Sequence, residues 1–406
     1  MSEKRNLISN FLSLSVLQVL SNVTSLITVP YLARTIGVEN FGKITFALSI
    51  VTYFKCIVEW GFKYTAVRDI AQNRENPIIV SEIISKVICA SILLLLLAFA
   101  LLVVIVYTIP FLYEERKIIF ITALILPGCI IQPDWLFQAM EKMKYITLMN
   151  IISRILFTVL IFFIIKQSDD YIYEPLLQSC SLIIPASLSL IYAIKMFKLN
   201  IQVVPLRESL KMIKDGFPVF LVQFMPTVYN NFSIILLGAL KGQVAVGIFS
   251  CAYKLIGISE QLANVVSRTF FPFLARRMDK HDVYSRILSV FSIAVSLVLL
   301  FGADLIVELF FSPEYYDAKR VLRILSFGPF FLFLRSVYGI NGLVLLRKEK
   351  IYSNIILCSS VVGMVISIIS VPVLGADGVA ITLSLTWSIM GIVSYCQYKK
   401  YRSGYE

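Results

Sequence analysis

The chain has 406 residues, 58% of them hydrophobic, with a mean hydropathy of +0.83 and a formal charge of +12. Soluble domains average about 45–50% apolar even on a broader count, so composition excludes a soluble enzyme and a soluble nucleic-acid-binding domain. The basic excess belongs to a membrane protein, and its distribution along the chain explains it.

Apolar runs of about 20 residues, long enough to cross ~30 Å of hydrocarbon, recur near 7–32, 42–62, 83–112, 118–139, 145–165, 172–195, 217–240, 246–275, 284–311, 319–346, 351–373 and 377–398. They predict twelve transmembrane helices. The first is too long for a signal-peptide core and lacks a small-residue cleavage pattern, so it counts as a span. With the N-terminus in the cytoplasm, 22 Lys and Arg fall in cytoplasmic connections and 8 on the opposite side. By the positive-inside rule both termini are then cytoplasmic. Cys56, Cys89, Cys129, Cys180, Cys251, Cys358 and Cys396 lie in or beside spans without a CxxC pair and read as small buried hydrophobes. His281, the single histidine, reads as a solvated loop residue.

Polar residues inside spans carry the functional argument, because a charge at the bilayer centre costs roughly 2.5–3.5 kcal/mol even on a lenient scale. In the first span Ser15, Gln18, Asn22 and Ser25 form one helical stripe, and Gln223, Thr227 and Asn230 repeat it in the seventh. The second span places Lys55 one turn before Glu59, Lys preceding Glu being the weaker order for a helical pair. Arg154 shares a face with Thr147, Asn150 and Thr158 in the fifth. In the eighth, Glu260, Asn264 and Arg268 align while Lys254 points elsewhere, and Arg335 sits in mid-span in the tenth near Tyr338, Gly339 and Gly342. Lys55, Arg154, Lys254 and Arg335 therefore read as cations of a wet central cavity for an anionic substrate. Gln18, Asn22, Gln223, Asn230 and Asn264 read as its neutral lining. Lys86 and Arg323, near span ends, are expected to snorkel, and Asp134, Asp304 and Glu308 to pair at the interfaces. No phosphate-binding loop, nucleophile elbow or metal-ligand cluster occurs, so no cofactor is expected.

The second half echoes the first at about 205 residues. Gly37-Val-Glu-Asn-Phe-Gly42 matches Gly242-Gln-Val-Ala-Val-Gly247, Gln18 falls on Gln223, and Glu-Lys-Met-Lys-Tyr (141–145) resembles Lys-Glu-Lys-Ile-Tyr (348–352). The predicted fold is all-α: two six-helix bundles, residues 1–200 and 217–406, related by a pseudo-two-fold axis along the membrane normal. They are joined by a cytoplasmic amphipathic linker, 201–216, whose Leu206, Leu210 and Ile213 recur beside Arg207, Lys211 and Lys214.

Three segments, Pro30-Tyr-Leu-Ala-Arg-Thr-Ile-Gly-Val-Glu-Asn-Phe-Gly42, Gly61-Phe-Lys-Tyr-Thr-Ala-Val-Arg-Asp-Ile-Ala71 and Pro133-Asp-Trp-Leu-Phe-Gln-Ala-Met-Glu-Lys-Met-Lys-Tyr145, with the Phe271-Pro272 step, resemble the Wzx-type O-antigen flippases. These belong to the multidrug/oligosaccharidyl-lipid/polysaccharide (MOP) exporter superfamily. The resemblance implies a V-shaped pair of bundles that moves undecaprenyl-pyrophosphate-linked oligosaccharide from the cytoplasmic to the periplasmic leaflet of the bacterial inner membrane. It implies no enzymatic activity. Coupling to an H⁺ or Na⁺ gradient would use Glu59 and Glu260 as candidate carboxylates, and the pathway's polymerase and chain-length proteins are candidate partners. Within transport the alternatives are a lipid II flippase, which usually carries two additional spans, and a multidrug extruder, which favours a more acidic cavity. A membrane-embedded enzyme of the same pathway would usually present a sizeable external loop, whereas the external loops here are short. A non-transporting scaffold would not need the buried cations.

Overall fold

The computed structural model describes residues 3–402, leaving outside the description the side chains of 3–19, 21–23, 222, 226, 268, 269, 272, 273, 275 and 276. Among the described residues every regular element is helical: α1 Glu3–Glu59, α2 Phe62–Gln72, α3 Pro77–Thr108, α4 Pro110–Glu114, α5 Arg116–Ala123, α6 Ile125–Ile131, α7 Asp134–Ala139, α8 Met143–Ile164, α9 Tyr173–Phe197, α10 Leu206–Arg276, α11 His281–Phe301, α12 Ala303–Phe310, α13 Ala318–Leu325, α14 Gly328–Leu334, α15 Glu349–Leu374 and α16 Ala376–Arg402. Three short 3₁₀ turns and a π-helix, Arg335–Val344, complete the described residues. Among the described residues ten helical stretches are long and apolar enough to cross a membrane. Two of these, Thr24–Gln72 and Gln223–Ser267, run 49 and 45 residues. At 1.5 Å per residue each has length for two crossings, and each is broken by a glycine of positive φ.

Those glycines are Gly37 (φ 79°, ψ 169°) and Gly242 (φ 82°, ψ 177°). An L side chain rarely adopts such a backbone, so the motif read as a repeat is also a repeated kink. The contact it makes is reciprocal. A Cβ on Gly42 would lie 1.8 Å from the Gln243 carbonyl oxygen, and one on Gly247 would lie 2.1 Å from the Val38 carbonyl oxygen. Only glycine allows backbones this close. A second correspondence lies in the turns before α8 and α15. Glu141 (φ 56°) and Arg347 (φ 57°) are both left-handed, and the next residue closes the preceding helix in both: Lys142 N donates to Phe137 O at 2.8 Å and Lys348 N to Leu343 O at 2.9 Å. The backbone thus pairs Glu141 with Arg347, one residue earlier than side-chain similarity suggests.

Packing divides the chain into two compact units, Met1–Thr28 with Ala47–Thr227, and Val29–Phe46 with Val228–Glu406. The chain changes unit inside α1 and α10 rather than in a loop. The kinked segment around Gly37 packs with the second unit, and the amphipathic 206–216 stretch runs into α10 without a break. In the first unit Phe62, Ala66, Val87, Ala90 and Leu94 form a core with Trp60, Trp135 and Ile213 at its edge. The Trp60 indole donates to the Ile213 carbonyl at 2.7 Å and its ring stacks on Phe220 at 4.2 Å. In the second unit α15 and α16 approach through small residues, with Gly363 against Thr386 and Gly378 against the Ser370 carbonyl. Helices in lipid associate by such close packing rather than by apolar burial. Phe163, Ile369 and Val373 are left exposed on membrane-length helices, as lipid-facing side chains would be.

Candidate functional site

The first unit holds a polar cavity of about 140 Å³, and Glu59, Lys63, Gln132, Asp134, Trp135 and Gln138 are among its lining. Its wall is a helix break. Pro133 disfavours helical backbone at Gln132, which is extended (ψ 111°) between α6 and α7. Asp134 opens α7 with its carboxylate held by two amides: Gln132 Nε2 donates to Oδ2 at 2.8 Å and Asn150 Nδ2 at 3.1 Å. Asn150 also donates to its own helix at Ile146 O, 2.9 Å. Asp134 makes no ion pair among the described residues. The interfacial pairing expected for it is therefore replaced by an amide cradle, with Asn150 coming from the stripe assigned to Arg154.

Glu59, across the same cavity, is bound by Lys63 at 2.8 Å, while Lys55 approaches its other oxygen only to 4.0 Å. The looser contact is the Lys-before-Glu one. Arg154 is exposed on α8, makes no ion pair among the described residues, and lies one turn beyond Asn150. Gln223 packs its Nε2, buried and without a hydrogen-bond partner among the described residues, against Gly61.

In the second unit Arg335 opens the π-helix and its Nη2 donates to Glu260 Oε1 at 3.2 Å, leaving Nε buried without a partner among the described residues. A cation and a carboxylate assigned separate roles are thus one pair, 75 residues apart in sequence. The Lys254 ammonium sits over the Phe41 ring, 4.4 Å from its centroid, a contact worth roughly 0.5–2 kcal/mol. Asn230 buries an Oδ1 that has no partner among the described residues, and Asn264 is half-buried on α10. The side chains of Gln18 and Asn22 lie outside the described residues. Lys55 and Arg154 belong to the first unit, Lys254 and Arg335 to the second.

Other expectations need correction. His281 is fully buried, not solvated: its Nε2 lies 3.2 Å from the Val337 carbonyl, and its ring packs on Tyr398 at 4.6 Å. A widened π turn frees carbonyls, and His281 meets this one. Asn341, also fully buried in the π-helix, donates to Tyr284 Oη (2.6 Å) and Ser267 O (3.2 Å) and accepts from Ser267 Oγ (2.9 Å). Neither has a sequence signature, because the partners come from other helices. Lys86 does not merely snorkel; Glu82 (2.6 Å) and Glu208 (3.0 Å) hold it. Asp304 and Glu308 do pair, with Arg323 and Lys319. Of the cysteines, Cys251 is buried, whereas Cys358 and Cys396 are exposed. Among the described residues no group of three His, Cys, Asp or Glu side chains is placed to hold a metal.

The fold is that of the multi-pass MOP transporters. The chain superposes with TM-score 0.76 on the lipid II flippase MurJ in an inward closed conformation, at 16% identity, covering 95% of this chain and 87% of that one. Against an inward-facing multidrug resistance MATE family transporter of the MOP superfamily the TM-score is 0.69 at 15% identity, covering 97% and 98%. The model of the polysaccharide biosynthesis protein family matches residues 7–278, and the chain belongs to that family. Over 393 residues it is 29% identical to an Escherichia coli (strain K12) protein named "Putative O-antigen transporter", 95% of each chain being covered. The Wzx-type resemblance read from residues 30–42, 61–71 and 133–145 is borne out.

Proposed function

We propose that the protein is a flippase for polyprenyl-pyrophosphate-linked oligosaccharide repeat units. It works by alternating access between two six-helix bundles, carrying its substrate from the cytoplasmic to the periplasmic leaflet of the bacterial inner membrane, with both termini cytoplasmic. The observation that carries this reading is Arg154, a guanidinium on a membrane-length helix, exposed and without an ion pair among the described residues. In a family of polysaccharide biosynthesis proteins, a diphosphate is the ligand such a cation suits, because the fork of guanidinium donors matches phosphate oxygens. Lys55, Lys254 and Arg335 are further candidate cations for an anionic substrate. Arg335 keeps Glu260 as its partner and has a spare donor at Nε. The polyprenyl tail stays in lipid, and the polymerase and chain-length proteins of the pathway receive the product. An H⁺ or Na⁺ gradient supplies any uphill drive.

The test is complementation of a deletion strain with Arg154→Ala, Lys55→Ala, Lys254→Ala and Arg335→Ala at matched protein levels. Lipid-linked repeat units in the cytoplasmic leaflet are measured alongside surface glycan. Accumulation inside with loss outside is expected, strongest for Arg154→Ala and partly restored by Arg154→Lys. Normal surface glycan from all four variants sinks the cationic role.

A further inference from the structure

Both carboxylates first suited to coupling are already tied to cations, Glu59 to Lys63 and Glu260 to Arg335. Protonating either one strands a charge inside a membrane protein, which is costly. Asp134 differs on each count. It stands at a break in a membrane-length span, its partners are amides, and it faces a cavity of about 140 Å³. Such a space has room for several waters. We propose that Asp134 is the group that binds and releases a proton during transport, with Gln132 and Asn150 as its positioning residues. This rests on the flippase reading above.

The amides suit both protonation states. With Asp134 ionised, each NH₂ donates to Oδ2, as observed. A hydronium ion in the cavity delivers H⁺ to a carboxylate lone pair. One of its O–H bonds breaks as one forms on the carboxylate, the side-chain charge goes from −1 to 0, and a neutral water is left behind. The new hydroxyl needs an acceptor, and an amide turned by 180° offers its carbonyl oxygen. Salt-bridged Glu59 and Glu260 have no such alternative, since ammonium and guanidinium only donate. Gln132 is the extended residue at the α6–α7 break, so turning its amide acts where the backbone is already non-helical. Discontinuous helices of this sort line ion sites in other transporters. Asn150, whose Nδ2 also donates to Ile146 O, stays a donor and ties the site to α8, one turn from Arg154.

The charged and titratable groups facing the site are few. Glu59, Lys63 and the Cys129 thiol line the cavity with Asp134, and Lys55 lies close by, 4.0 Å from Glu59 and within electrostatic reach of Cys129. Helices α3, α8 and α9 present neutral residues there, such as Ser91, Ser153 and Ser189. Lys63 is the cation nearest in kind, and Glu59 holds it at 2.8 Å.

The experiment is an infrared pH titration of the full-length protein in lipid nanodiscs, following the carbonyl stretch of protonated carboxylic acids. In parallel, proteoliposomes loaded with a pH-sensitive dye and the deletion-strain leaflet assay report on transport. Asp134→Asn is expected to remove one titrating carboxyl and to lower gradient-dependent export at least tenfold, while Asp134→Glu keeps both signals. Asn150→Ala, which removes one donor to the ionised form, is expected to raise the midpoint by about one pH unit. An Asp134→Asn protein with the wild-type titration and the wild-type gradient dependence overturns the proposal, as does an unmoved midpoint in Asn150→Ala. The titration needs no substrate, so it judges Asp134 even where the wild type fails to move lipid-linked glycan and the flippase reading falls.

Discussion

The stretch Arg116–Ala139 in the first unit and Ala318–Val344 in the second correspond at an offset of 206 residues, and both depart from α-helix at the same place. Pro133 opens the first beside a cavity of about 140 Å³, and Asp134 is satisfied by amides alone. The second widens over Arg335–Val344 with no proline inside it, and the extra room is filled. Tyr352 packs on Gly339, Tyr398 on Gly342, His281 meets the Val337 carbonyl, and Asn341 ties in Ser267 and Tyr284. One position thus has two physical solutions, an open break and a plugged one. The open break leaves its charge free to change state; the plugged one fixes Arg335 against Glu260.

This contrast predicts unequal costs of mutation, greatest in the plugged segment. Asn341→Leu takes from the buried Tyr284 and Ser267 hydroxyls the partner Asn341 gives them, while the Ser267 carbonyl keeps its place in α10. At 1–3 kcal/mol per stranded group the loss is about 4 kcal/mol. Thermal unfolding in detergent should show it as a large fall in Tm and a drop in folded yield, and a Tm within experimental scatter of wild type contradicts the plugged description. Next comes Glu260→Gln, which leaves Arg335 charged without an acid. Removing one partner of a buried pair costs roughly 3–5 kcal/mol; Glu260 is 35% exposed, so about 2 kcal/mol is expected here. Asp134→Asn should cost under ~1 kcal/mol, because no cation is stranded. If Asp134→Asn lowers Tm as much as Glu260→Gln does, the two breaks are not different in kind.

Much of this was visible in the residue order. The Gly37 and Gly242 kinks were legible because a left-handed backbone demands glycine and the spacing repeats. Membrane-length runs were legible because burial in lipid dictates composition. The candidate cations were also marked, since charge in a span always needs a reason. Their partners were not. Glu260 and Arg335 meet across helices at a separation no periodicity encodes, and Asp134 looked interfacial because its amides come from a break and from α8. His281 looked solvated because a polar connection surrounds it, whereas the π turn that buries it has no hydropathy signature. Sequence reports what a residue must avoid more readily than whom it meets.

Within the plugged span a smaller effect is expected at Gly339. A Cβ there would lie 2.4 Å from the Tyr352 ring, and overpacking of one methyl typically costs about 1–3 kcal/mol. Gly339→Ala should sit near the low end, about 1 kcal/mol, because an aromatic ring can tilt away. Tyr352→Leu in the same chain should recover most of it, and a double-mutant cycle measures the coupling directly. Additive losses place the Gly339 constraint somewhere other than Tyr352.

The smallest change in stability, and the sharpest test of the open break, is Pro133→Ala. Alanine restores a donor N–H at 133 and releases Gln132 from the restriction that precedes proline. One helical hydrogen bond is then gained while the entropic benefit of proline in the unfolded chain, about 0.4–1 kcal/mol, is lost. These nearly cancel, so Tm should move by no more than the equivalent of about 0.5 kcal/mol. The backbone nonetheless changes character. Amide exchange at 132–136 should slow as α6 and α7 join, and Gln132 should lose the freedom to turn its amide at Asp134. Export measured by the leaflet assay should fall although the protein is as stable as before. If exchange slows and export does not change, the break is only a packing feature. If both stay at the wild-type level, residues other than Pro133 hold Gln132 extended, and the difference between the two spans lies in their surroundings rather than in the proline.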